Sequence, residues 1–111
     1  MRAIYVYVAG PFTGDQTVNT RLAIDAAESL RRAGFIPFIP HLSMFWYLIY
    51  PNDYEVWLRM DLAWIEKCDA VLRLEGESRG ADREVAHAKE RGIQVFGSID
   101  ELKIWASLVQ R

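Results

Sequence analysis

The chain reads as an α/β domain: a parallel sheet of four to five strands with helices on both faces. Three observations carry this. Short apolar runs alternate with longer stretches of helical spacing in the order βαβαβαβα, the pattern that sets crossover helices between parallel strands. The first run, Ala3–Ala9 (AIYVYVA), is apolar without clean alternation, as suits a strand buried on both faces. Glycines Gly34 and Gly92 stand just past two of the helical stretches, where a left-handed C-cap belongs.

Taken in order, Ala3–Ala9 is the first strand, and Gly10-Pro11-Phe12-Thr13-Gly14-Asp15 breaks it into a loop. Gln16–Ala33 is helical, with Leu22, Ala26, Ala27 and Leu30 at helical spacing. Phe35–Ile39 is a second strand; Pro37 removes a ladder hydrogen bond, which makes it a short or edge strand. Leu42–Asn52 is the least regular piece. Asn52 or Asp53 can cap a helix running to about Lys67. Asp69–Leu74 is the third strand, Ser78 or Gly80 to Arg91 the third helix, and Ile93–Phe96 the fourth strand. Ser98 caps the last helix, with Glu101 three residues on in a capping box. The order gives a Rossmann-like or flavodoxin-like sheet in a single domain over residues 1–111. Ligands of such sheets bind beyond the carboxyl ends of the strands, the rim where Gly10–Asp15, Pro40–His41 and Gly76–Gly80 gather.

At 111 residues and 51% hydrophobic, the chain has material for one packed core. A net charge of −2 and an isoelectric point near 5.6 leave no electrostatic footprint for a nucleic acid polymer. One cysteine, Cys68, excludes an intrachain disulfide, and with two histidines a structural zinc site is not expected. No run approaches the roughly 18 apolar residues that span a bilayer, so a membrane location is not expected. A cytoplasmic location fits the cysteine usage.

Asp61 is the sharpest anomaly. At about 100° per residue, Tyr54, Trp57, Leu58, Leu62, Trp64, Ile65 and Cys68 span an arc of about 160°, and Asp61 points near its middle. A carboxylate on an apolar face is costly unless it is paired or deliberately desolvated. Asp61 is therefore either bonded to a buried backbone turn or a pocket carboxyl whose pKa is raised for proton donation. Glu84 edges a face of small residues, Ala81, Val85 and Ala88, which lets its helix approach the sheet closely. It either looks over the sheet rim or is a solvated acid favoured by the helix dipole.

Ser78, Arg79 and Gly80 open the same helix. Hydroxyl, guanidinium and backbone N–H suit a phosphate or a sugar hydroxyl, and equally an ordinary N-cap. The loop Gly10-Pro11-Phe12-Thr13-Gly14 is neither GxGxxG nor P-loop, and it is a weak signal for a phosphate cradle. Tyr7 points along the first strand toward that loop or packs in the core. His41 reaches the rim by topology, His87 is expected in solvent, and Asp69 reads as a structural cap. Phe45–Tyr50 is too apolar for an open loop; it is a lid over a base or a contact between subunits, with the contact favoured.

Together these residues resemble the nucleoside 2-deoxyribosyltransferase superfamily and, within it, the small proteins of the DUF4406 family. Ile4–Gly14 is similar to the superfamily's first strand and loop. Arg59-Met60-Asp61-Leu62-Ala63-Trp64 followed by Cys68-Asp69-Ala70-Val71, and Ser78-Arg79-Gly80-Ala81-Asp82-Arg83-Glu84, are similar to its two later motifs. The resemblance implies Glu84 as nucleophile on the sugar C1′, Asp61 assisting the departing base and Tyr7 positioning both. Ser78 would meet the 5′ end, with Gly10, Pro11, Phe12, His41, Arg79 and Gly80 around the substrate. Serine at position 78 resembles the branch that hydrolyses 2′-deoxynucleoside 5′-monophosphates, whereas an aspartate there marks members that move deoxyribose between bases. The implied partner is a small nucleoside or nucleotide, with no cofactor or metal, and the implied assembly is a homo-oligomer (dimer or tetramer).

Overall fold

The computed structural model describes residues 2–109. Four parallel strands, β1 (Tyr5–Ala9), β2 (Ile36–Phe38), β3 (Ala70–Arg73) and β4 (Gln94–Phe96), lie in the order β2-β1-β3-β4. This is the flavodoxin-like order without a fifth strand, and its switch point lies between β1 and β3. Five α-helices connect and flank them: α1 (Gln16–Arg32), α2 (Met44–Ile49), α3 (Tyr54–Ile65), α4 (Arg79–Glu90) and α5 (Ile99–Val109). Each strand is one or more residues shorter than the apolar runs suggest. The flanking residues still bond to the sheet: Ile36 N–H donates to the Ile4 carbonyl and Leu74 N–H to that of Ala9.

Alternation along β1 divides the interior in two. Val6 and Val8, with Ala70 and Leu72 of β3, meet Ala23 and Leu30 of α1 and Leu102 and Ala106 of α5. Tyr7 and Ala9, with Val71, face the other way onto Ile65 of α3 and Ala81 and Ala88 of α4. Val6 through Ala9 are all fully buried, as an inner strand covered on both faces requires. In α1 the inward stripe is Thr20, Ala23, Ala27 and Leu30, while Leu22 is 56% exposed, one residue out of phase with the spacing expected for it.

The helix ends follow local chemistry. Asp15, beyond the predicted start, accepts from Val18 N–H and caps α1. Ser78 accepts from Ala81 N–H, and Ser98 from Glu101 N–H. Asp69 fills the structural role expected of it at the opposite end of the sheet from the rim. It accepts from Tyr5 N–H at 2.8 Å and from both ends of the Arg2 guanidinium at 3.0 and 2.6 Å, and that pairing holds its carboxyl below the usual range.

The irregular stretch after β2 resolves into a 3-10 turn, Pro40–Ser43, and the six-residue helix α2. None of the α2 residues is buried; Phe45, Leu48 and Ile49 are 69, 69 and 73% exposed. Helix α3 likewise buries only Leu58 and Ile65, leaving Tyr54 and Trp64 about half exposed. Its apolar arc therefore covers the core with one edge and the rim with the other, where the sequence suggested a wholly buried face. No helix among the described residues is long and apolar enough to cross a membrane.

Candidate active site

Tyr7, Glu84 and Asp61 converge beside the β1/β3 switch point. Tyr7 is the middle residue of β1 and projects between α3 and α4, fully buried. Glu84 lies on the face of α4 that also carries Ala81 and Ala88, and it is 6% exposed. Those alanines have no bulk to hold the helix away, so the glutamate reaches the strand and the Tyr7 hydroxyl donates to its Oε2. Asp61 approaches from α3, half-buried.

The electrostatics follow from dryness. Burial raises the Glu84 carboxyl to about 8, with the Asp61 charge adding to the rise and the Tyr7 hydroxyl and the Arg73 guanidinium opposing it. Burial alone raises Asp61 to about 7. Tyr7 is held well above its usual range, by burial first and then by Glu84 and Asp61, so it stays a hydrogen-bond donor. Near neutrality the two carboxyls share about one proton. A buried carboxylate that accepts from a hydroxyl, beside a second carboxyl able to carry a proton, suits nucleophilic attack coupled to protonation of a leaving group.

Two loops meet at the carboxyl ends of β1 and β3. Gly76 has φ +113°, and a Cβ there would meet Pro11 Cγ at 2.9 Å, so a side chain would force the Gly10–Phe12 and Leu74–Ser78 loops apart. His41 is buried, and its Nε2 bonds the Pro11 carbonyl at 3.0 Å. It holds the loop from behind, with burial lowering its pKa. Phe12 packs edge-on to the His41 ring. Ser78 spends its Oγ as acceptor on the α4 cap, Arg79 is exposed, and a Cβ on Gly80 would sit 3.1 Å from the Tyr54 hydroxyl. Ser78, Arg79 and Gly80 thus stand together at the first turn of α4 with Tyr54 above them.

His87 is a correction. Its side chain is only 16% exposed, and its Nε2 lies 2.8 Å from Glu66 Oε2, because α4 packs beside α3 and the flank expected in solvent becomes a helix–helix contact.

Three participants were not singled out in the sequence. Phe38 stacks between Tyr7 and Trp64, at centroid distances of 5.6 and 4.9 Å, which links the tyrosine bonded to Glu84 to an open indole. Tyr54 lies over the α4 N-terminus with the Arg83 guanidinium 5.7 Å from its ring centre. Arg73 bonds the carbonyls of Leu74 and Gly76 and the carboxylate of Asp82. Its signal was available: a cation inside the run Ala70-Val71-Leu72-Arg73-Leu74 breaks an apolar strand at the end that faces the rim.

The family described as "Domain of unknown function (DUF7768)" matches residues 4–97, and the chain belongs to that family. This is the family found, where the motifs had suggested DUF4406. Among solved structures, a 2-deoxyribosyltransferase from the psychrotolerant bacterium Bacillus psychrosaccharolyticus superposes with a TM-score of 0.63 at 20% identity, over 85% of this chain and 74% of that one. The likeness is one of fold, and it agrees with the sheet order derived above. No curated protein matches the sequence.

Proposed function

Taking this DUF7768 chain with its deoxyribosyltransferase-like fold as premise, we propose that it exchanges the base of a nucleoside, using Glu84 to carry the sugar between two bases. The observation that carries this reading is the pair of raised carboxyls around Tyr7. Ionised Glu84 attacks C1′ as the C1′–N bond breaks; the bond electrons leave with the base nitrogen, which takes a proton from Asp61. An incoming base then attacks C1′, releases Glu84 and returns a proton to Asp61. The transition state has oxocarbenium character, which the adjacent carboxylate stabilises before bonding. The fold of the Bacillus psychrosaccharolyticus enzyme supports transfer as the first reading.

A second reading replaces the incoming base with water and the nucleoside with a 5′-monophosphate. It is favoured by Ser78, Arg79 and Gly80, where a neutral capping serine leaves the positive end of the α4 dipole available to a phosphate. This is the reading that the resemblance of Ser78 and Arg79 to 2′-deoxynucleoside 5′-phosphate hydrolases implied. Chromatography of nucleosides and 5′-monophosphates incubated with the protein, with and without a second free base, separates the two. A new nucleoside indicates transfer, and free base with sugar phosphate indicates hydrolysis. The same rate in Glu84→Gln as in the wild type would refute both.

The reading includes self-association. The exposed run Phe45–Tyr50, continuous with Trp57 through the Trp46 and Tyr47 rings, presents more apolar surface than a monomer ordinarily leaves in water. Sedimentation of the wild type beside Leu48→Glu is expected to show an oligomer and a smaller species; a monomeric wild type would remove this part.

A further inference from the structure

Arg73 sits at the carboxyl end of β3, paired in register with Ala9 of β1. Its side chain is 19% exposed, and a guanidinium so far from water needs acceptors. It has three: the carbonyl of Leu74, the carbonyl of Gly76 at 3.0 Å and Asp82 Oδ1 at 3.1 Å. The first two lie in the turn after β3 and the third in the first turn of α4. One side chain thus ties strand end, turn and helix start together, two residues before Glu84. The ionisable groups that act on Glu84 are Tyr7 from β1, Asp61 from α3 and Arg73 from β3, and the last alone is a cation.

We propose that Arg73 is a positioning residue for Glu84: it locks the turn that sets α4 against the sheet and gives the dry site its positive charge. It acts through the glutamate. The charge favours the ionised, nucleophilic carboxylate, while the fork fixes where that carboxylate stands. Lysine can supply the first function but not the second, since one ammonium cannot bridge two carbonyls and a carboxylate in the guanidinium's planar geometry. The kinetic part of this inference rests on the glycosyl-transfer reading; the ionisation of Glu84 does not.

The test uses the full chain as Arg73→Gln and Arg73→Lys. The Glu84 titration is followed by carbon-13 resonance of glutamate side-chain carboxyls, assigned with Glu84→Gln, beside amide exchange over residues 74–82 and the pH profile of kcat/KM. Arg73→Gln is expected to raise the Glu84 midpoint by about half a pH unit or more and to lower the kcat/KM maximum by about threefold. Arg73→Lys is expected to leave the midpoint in place, speed exchange across the turn and lower kcat/KM at every pH. A midpoint unmoved in Arg73→Gln would overturn the proposal. Should Arg73→Gln fail to fold, unchanged exchange and unchanged kcat/KM in Arg73→Lys would overturn it instead. If the wild type turns over no nucleoside while Arg73→Gln still moves the midpoint, the positioning role stands and the glycosyl-transfer reading falls.

Discussion

On the α1/α5 side of the sheet, Val6, Val8, Ala70 and Leu72 meet Ala23, Leu30, Leu102 and Ala106, and the buried polar side chain of α1 is an uncharged one, Thr20. On the α3/α4 side the same strands present Tyr7, Ala9 and Val71 to Ala81 and Ala88, and Glu84 is buried beside them. The two faces have comparable dryness but opposite economies. The first converts burial into stability at about 1.5–3 kcal/mol for a large side chain. The second uses burial to hold a proton between two carboxyls that water would ionise. Asp69 shows that burial and the partners at hand, rather than the aspartate itself, set this behaviour. Eight residues from Asp61 and paired with Arg2, its pKa moves down where that of Asp61 moves up.

The comparison is tested most severely at Glu84. Glu84→Gln is expected to lower turnover at least about a thousandfold while stabilising the fold at alkaline pH. The sign follows from proton binding. Between the ordinary carboxyl value of 4.5 and about 8, the folded state holds a proton that the unfolded state has released, so stability falls as pH rises through this window. The glutamine removes that loss, and thermal unfolding near pH 9 should favour the variant while the two converge near pH 4. A glutamine variant less stable than wild type at both pH values would contradict the account of the face.

Next in size is Leu30→Ala on the other face, expected to reduce stability by about 2–5 kcal/mol in denaturant titration. Turnover per folded molecule should stay at the wild-type value; a changed kcat would mean that the two faces are not separate. The pH profile of kcat/KM comes third. The productive form, ionised Glu84 with protonated Asp61, is the minor one-proton state, since Asp61 releases its proton first; its population still follows a bell with limbs near about 7 and about 8. A flat profile across that range would dissociate the carboxyls from the chemistry. Smallest is Asp69→Asn, expected to remove about 1 kcal/mol or less of stability with its charged hydrogen bonds and to leave turnover unchanged.

How much of this was legible depends on range. Tyr7, Asp61 and Glu84 stood out because each breaks or edges a local pattern: a tyrosine inside a buried strand, an acid amid an apolar arc, an acid beside small residues. The four strands and the caps at Ser78 and Ser98 are likewise local. What the sequence did not reveal depends on which elements become neighbours. His87 meets Glu66 because α4 lies beside α3, and Phe38 bridges Tyr7 and Trp64 because β2 flanks β1. The α3 arc looked like a core face because helical periodicity reports apolar direction and cannot distinguish a core from an open rim. Arg73 carried a local signal, but its meaning required the turn geometry that supplies its acceptors.

Trapping the sugar on the protein tests the central claim most directly. A nucleoside whose 2-position carries fluorine destabilises the oxocarbenium-like state in both half-reactions, so a covalent sugar–enzyme species, once formed, is released slowly. Peptide mass mapping after incubation with such a nucleoside is expected to find the added sugar mass on Glu84, and to find none in Glu84→Gln. A sugar attached to a different residue, or base release that continues at the wild-type rate in Glu84→Gln, would contradict the account.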